Sequence, residues 1–139
     1  MRIRVRQLDE PEMALVEQVV DTLIDHPRIG DIAVVSGALL KDGSTELSAD
    51  VRSRKAWTCA EPGLMARILT NDLPPVRTVV AACLDRRGSP RVISPCGSCR
   101  EMLRRWAPDG WVIVSESNDS WMAVSIEDLF PFYEMWPGA

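Results

Sequence analysis

Val79-Val80-Ala81-Ala82-Cys83-Leu84 is a nearly continuous apolar run. A strand that lacks polar alternation is one covered on both faces, so this run predicts the centre of a sheet with other elements layered against it. Upstream, Asp9 is followed three residues later by Glu12, with Pro11 between, which predicts a helix start. Met13, Val16, Val20, Leu23 and Ile24 recur at helical spacing from there, and Pro27 closes the element. Residues 32–40 and 44–51 flank Asp42-Gly43, the two-residue signature of a hairpin turn between antiparallel strands. Thr58 and Glu61 have the spacing of a capping box and predict a second helix beginning at about Cys59, with Leu64, Met65, Ile68 and Leu69 as its apolar face. Ser94-Pro95 opens another helix carrying Met102, Leu103 and Trp106. Residues 111–115 and 121–125 read as short strands, and Ser125 caps a last helix that ends at Pro131. Strands alternating with helices after an initial hairpin predict an α/β layer fold around one mixed sheet.

A chain of 139 residues is long enough for one ordinary core and too short for two, so a single domain over 1–139 is expected. The longest apolar run, 32–40, is already broken by Ser36 and Gly37, and nothing in the sequence spans a membrane. The first six residues carry charge with no apolar stretch behind them, which is not the pattern of a secretory signal, and a cytoplasmic location is expected. The formal charge of −4 and pI near 5.0 give no general attraction for polyanions, although Arg52, Arg54 and Lys55 cluster locally. Long nucleic acid is therefore not an expected partner. Four cysteines in such a chain stay reduced, which points to metal binding or thiol chemistry rather than a disulfide framework.

Their spacing carries the chemistry. Cys96-Gly97-Ser98-Cys99 puts two thiols at i and i+3 in the first turn of a helix, close enough on one face to share an ion. Cys59 begins another helix, and if the two helix N-termini converge, all three sulfurs meet where amide dipoles favour thiolate. Three thiolates on Zn²⁺ leave one open tetrahedral position, the mark of a catalytic rather than a structural site. Glu61, two residues after Cys59 on the same turn, is placed to reach a water in that position and carry its proton.

Each piece also has a plainer explanation. Glu61 could serve only as the capping-box partner of Thr58, and a lone C-x-x-C is shared by redox motifs and half zinc ribbons. A structural zinc site needs a fourth ligand, for which Cys83 lies in the apolar strand as a small core residue and the only histidine, His26, sits beside Pro27.

With Cys59-Ala60-Glu61 and Pro95-Cys96-Gly97-Ser98-Cys99 together, the chain resembles the cytidine deaminase superfamily, and within it the free-standing cytidine deaminases and blasticidin S deaminases. Thr58-Cys59-Ala60-Glu61, Ser94-Pro95-Cys96-Gly97-Ser98-Cys99-Arg100 and the closing stretch from Val124 to Pro131 carry the resemblance. It implies a three-layer α/β/α fold with a mixed five-stranded sheet, one zinc ion per subunit, and a homo-oligomer, usually a tetramer, with sites near subunit boundaries. It also implies that the Ala60 N–H holds the base's carbonyl oxygen and that the Ser94 carbonyl accepts from the amino group.

The departures concern the substrate. Cytidine deaminases carry an Asn-x-Glu that grips the ribose, and that family's spacing lands on Ser48 and Asp50 here. Where those enzymes have Arg after the catalytic Glu, this chain has Pro62, which leaves charge compensation to Arg100 and the helix termini. Blasticidin S deaminase spacing puts Asp50-Val51 on their Asn-Val, and Trp136 falls where they too carry Trp, so that Trp136 either closes over the substrate or packs on a neighbouring subunit. The loop holding Arg52, Arg54 and Lys55 borders the pocket or forms a solvated face. The expected function is hydrolytic deamination of a cytosine-type base, nucleoside or analogue. Plain cytidine or deoxycytidine salvage, a nucleic-acid deaminase, a guanine-type deaminase, a thiol oxidoreductase and a non-catalytic zinc-stabilised binding module are the alternatives.

Overall fold

A computed structural model describes residues 2–26, 33–117 and 119–130. The elements in chain order are β1 (Val5–Arg6), α1 (Glu10–Asp25), β2 (Val34–Leu40), β3 (Thr45–Ala49), β4 (Val51–Arg52), β5 (Trp57–Thr58), α2 (Ala60–Thr70), β6 (Val76–Leu84), β7 (Pro90–Ile93), α3 (Gly97–Trp106), β8 (Trp111–Ser117), β9 (Ser120–Ser125) and α4 (Ile126–Leu129). Helix α1 starts as the sequence predicts: the Asp9 side chain accepts from the Glu12 N–H and the Glu12 side chain accepts from the Asp9 N–H, completing the capping box. The turn between β2 and β3 places Gly43 at φ +88, a left-handed conformation that favours glycine. Pro27, Ile32 and Pro131, to which the helix and strand limits were assigned, lie outside the described residues.

Among the described residues seven strands form the sheet, in the order β1-β9-β8-β6-β2-β3, with β7 also paired to β6. β6 and β8 are parallel and the other pairs are antiparallel, so the sheet is mixed as expected. β6 is central. β2 runs along one of its edges, while the other is divided between β8, at Thr78 and Val79, and β7, at residues 81–84. The expected five-stranded sheet corresponds to β2, β3, β6, β8 and β9, and the structure adds the two-residue β1 and the four-residue β7. These short strands owe their pairing to partners distant in sequence, a signal that no local pattern carries.

Both faces are covered. Leu15, Val16, Val19 and Leu23 of α1 pack on Val35, Leu39, Val80, Ala82 and Ile113. On the opposite face Leu64, Met65 and Ile68 of α2, Leu103 of α3 and Ile126 of α4 pack on Ala38, Leu40, Val79 and Val112. Each fully buried aliphatic side chain contributes roughly 1.5–3 kcal/mol by leaving water, so the two apolar layers hold the helices to the sheet. Gly37 is a close-approach position: a Cβ there would stand 2.6 Å from Val19 Cγ2 and 3.1 Å from Leu15 Cδ1, so any larger residue would push these α1 side chains away from β2. Among the described residues no helix is long and apolar enough to cross a membrane.

Candidate metal centre and active site

Helix α2 begins at Cys59 as the sequence predicts and α3 at Cys96, later than Ser94-Pro95, but in each a cysteine rather than the preceding Thr or Ser is the N-cap residue. Thr58 belongs to β5 and does not cap α2; Cys59 is the N-cap residue, with no side-chain cap bond. Glu61 is therefore the second residue of the helix, too early for a capping-box partner of Thr58. Its carboxylate turns inward, where only 4% of the residue stays exposed. Ser94 likewise precedes α3 without capping it. Cys96 is the N-cap, and its Sγ accepts from the Cys99 N–H at 3.4 Å. Ser125 occupies the N-cap position of α4 but its side chain makes no cap bond.

These two N-termini converge. The Sγ atoms of Cys59, Cys96 and Cys99 all lie within 4.8 Å of one another, and Cys59 Sγ is 3.7 Å from Cys96 Sγ. Sulfurs at the vertices of a tetrahedral site with bonds of about 2.3 Å stand about 3.8 Å apart, so the spacing fits a shared metal ion. Among the described residues the group of potential ligands comprises these three. Cys83, half-buried on β6, is not one of them; burial, and then Asp85, push its thiol up.

The electrostatics of the trio are uneven. The backbone N–H of Cys99, donating to the N-cap sulfur, holds the Cys96 thiol below its ordinary range. Burial pushes Cys59 up, helped by the neighbouring Cys96. Burial and then the Glu61 carboxylate push Cys99 up strongly. Three sulfurs and a carboxylate crowded in this way repel further negative charge, which a divalent cation would neutralise.

Glu61 Oε2 accepts from Cys99 Sγ at 3.6 Å. Among the described residues no Lys or Arg forms an ion pair with this carboxylate. Arg100, one residue after Cys99, donates from Nε to the Pro95 carbonyl at 3.0 Å and so braces the loop that delivers Cys96. Ala60 is fully buried at the first position of α2, and Ser94 is exposed two residues before Cys96.

Ser48 sits on β3, directly opposite Ser36 on β2, on the sheet face that α2 covers. Its hydroxyl lies under the first turn of α2, where a Cβ on Gly63 would come within 2.7 Å of Ser48 Oγ. Ser36, which in the sequence is only a break in an apolar run, is fully buried with no partner for its hydroxyl among the described residues. Asp50 is buried at the corner between β3 and β4: Oδ1 accepts from the backbone N–H groups of Ala33 (2.8 Å) and Val34 (2.9 Å), and Oδ2 from Trp57 Nε1 (3.1 Å). Arg52 Nε is 3.2 Å from the same Oδ2, so a substrate could reach this carboxylate only by displacing a donor. Arg54 and Lys55 are exposed at the tip of the β4–β5 ribbon, beside a cavity of about 710 Å³. Trp136 lies outside the described residues.

The mixed sheet between helical layers is a fold that solved cytidine deaminases share. The Bacillus anthracis enzyme superposes with a TM-score of 0.75 at 21% identity, covering 88% of each chain. The Burkholderia pseudomallei enzyme gives 0.70 at 18% identity over 90% of this chain and 98% of its own. The Mycobacterium leprae enzyme gives 0.68 at 17% identity over 88% and 99%. In sequence, the chain is 37% identical over 83 residues to the blasticidin-S deaminase of Bacillus cereus, a match that spans 55% of this chain and 57% of that relative. No protein-family model matches. The chain therefore has the fold of the solved cytidine deaminases and, over about half its length, a sequence similar to a blasticidin-S deaminase.

Proposed function

We propose that the chain is a hydrolytic deaminase that replaces the amino group of a cytosine-type base, nucleoside or nucleoside analogue with a keto group, using zinc held by Cys59, Cys96 and Cys99. The observation that carries this reading is the setting of Glu61: a buried carboxylate with no cationic partner among the described residues, in contact with the three-thiol cluster. A zinc ion held there supplies a Lewis acid and lets water act as a nucleophile near neutral pH. Glu61 accepts a proton from the attacking water and delivers it to the ring nitrogen, then takes the proton of the new hydroxyl group and delivers it to the amino group as it leaves. One water enters, the carbon–nitrogen bond breaks, and a carbonyl and ammonia result. The Ala60 N–H, at the first turn of α2, donates to the base's carbonyl oxygen, and the Ser94 carbonyl accepts from the amino group. Arg100 and the two helix N-termini offset the negative charge of the thiolates.

The substrate is a small molecule, and a nucleoside analogue or modified base fits better than plain cytidine. Four internal donors already occupy Asp50, and Ser48 is short and sits against α2. Trp136 is assigned to cover the bound substrate. The reading includes a homo-oligomer, with a tetramer as its expected size, since Val51 and Trp57 stand 69% and 65% exposed on the ribbon beside the site and a neighbouring copy would cover them.

Ammonia release from zinc-loaded protein, measured across cytidine, deoxycytidine, cytosine and blasticidin S, tests the proposal. The expected result is turnover of at least one of these, abolished by chelation and restored by zinc. Absence of release from all four at one zinc per chain would overturn it, and activity that survives chelation would point instead to thiol chemistry at Cys96 and Cys99.

A further inference from the structure

The β4–β5 ribbon hands the chain directly to the cluster, because Thr58 is its last residue and Cys59 the next. Two ladder pairs form it, Val51 with Thr58 and Arg52 with Trp57, and its tip is closed by the Ser53 N–H donating to the Ala56 carbonyl at 2.7 Å and the Ala56 N–H donating to Ser53 Oγ at 3.1 Å. A two-stranded ribbon of this size has little stability of its own, and its large apolar side chains are exposed rather than packed into either core layer. What ties it to the sheet is the Asp50 carboxylate. One oxygen binds the two N–H groups that open β2, and the other takes the Trp57 indole N–H and lies in ion-pair range of Arg52, one residue from each ribbon strand. The Asp50 N–H adds a bond to the Val34 carbonyl at 3.0 Å. By contrast Cys96 and Cys99 are fixed locally by the cap bond of their own helix. Cys59 has no such cap and takes its position from the strand before it.

We infer that Asp50 and Trp57 form a clamp that sets where Cys59 stands in the three-thiol cluster, which makes Asp50 a positioning residue for the metal rather than a group that touches substrate. The inference rests on the reading of the three thiols as a metal centre.

Cobalt substitution of the full chain tests it, since Co²⁺ held by thiolates shows charge-transfer and ligand-field bands that respond to ligand geometry. Trp57→Phe removes one donor from an exposed ring and leaves both core layers intact. Asp50→Asn keeps an oxygen for the β2 amides but turns an NH₂ toward the Trp57 and Arg52 donors. Both variants are expected to shift the ligand-field bands and weaken Co²⁺ binding about 10-fold or more, the usual consequence of losing a group that orients a metal ligand. Glu12→Gln, which disturbs a buried carboxylate on the other face of the sheet, should lower the unfolding midpoint and leave the cobalt spectrum unchanged. Should Asp50→Asn fail to fold, Trp57→Phe alone decides. A wild-type spectrum and affinity in Trp57→Phe would overturn the clamp. Failure of the metal reading would look different, as unaltered thiolate-to-cobalt bands in Cys96→Ala.

Discussion

Glu12 and Glu61 are both buried glutamates in the first turn of a helix, and they live in opposite surroundings. Glu12 is fully buried and saturated: Arg6 donates to both of its oxygens at 2.7 and 3.0 Å, Thr78 Oγ1 donates at 2.6 Å, and the Asp9 N–H at 3.1 Å. Arg6 in turn lies 4.4 Å from the Trp111 ring centre, so this network joins β1, α1, β6 and β8. Glu61 is nearly as buried, yet its partner is a thiol at 3.6 Å, a weak donor. Burial alone therefore does not mark a functional carboxylate. A buried charge whose partners are all supplied within the fold holds the fold together, and one left short of them is free to work on something that arrives from outside.

Removing a ligand should separate the two regions most sharply. Cys99→Ala deletes a buried sulfur that touches Glu61, and zinc per chain, measured by elemental analysis after dialysis, should fall from one toward zero with turnover lost. Glu12→Gln should do the reverse, costing roughly 2–3 kcal/mol in urea unfolding because the Arg6 guanidinium loses its counter-charge and one of the two acceptor oxygens becomes an NH₂ facing donors, with zinc content unchanged. Metal loss in that variant would break the contrast. Gly37→Ala forces a methyl against Val19 and Leu15 beneath α1 and should cost about 1–2 kcal/mol, again without effect on metal. The smallest expected effect concerns a half-buried carboxylate with a full set of partners. The Ser89 N–H, then the Arg87 N–H and the Arg91 side chain, hold Asp85 below its ordinary range. Its contribution to stability is thus present above the unfolded-state value and is lost as pH falls through the lower folded-state value. Asp85→Asn should be less stable than the wild type near neutral pH, with the difference closing in acid, as thermal melts across pH would show.

Much of this was legible in the sequence where the determinant is local. The Asp9–Glu12 box, the Asp42-Gly43 turn and the unbroken apolar run of β6 each stand in the structure as read. The spacing of Cys59, Cys96 and Cys99 anticipated their convergence because two helix N-termini presenting thiols on one face need only approach each other. What was not legible depends on distant partners. β1 pairs with β9 across more than a hundred residues, and β7 exists because the long β6 leaves half an edge beyond the end of β8. Thr58-x-x-Glu61 matches a capping box in sequence, but the pairing of Thr58 with Val51 makes it a strand residue and leaves Cys59, where the sequence places the helix start, as the N-cap. Spacing alone places Asp50 at the position of a substrate-binding residue and carries no sign of its four donors, which only the fold brings around it from Ala33, Val34, Arg52 and Trp57.

Turnover and stability of Glu61→Gln, measured beside Glu12→Gln at matched zinc content on whichever substrate releases ammonia, test the central claim most directly. The account predicts that Glu61→Gln keeps its zinc and its unfolding midpoint while turnover falls by about 100- to 10,000-fold, the contribution of a positioned proton carrier. Full turnover in Glu61→Gln, or a loss of stability there comparable to that of Glu12→Gln, would contradict it.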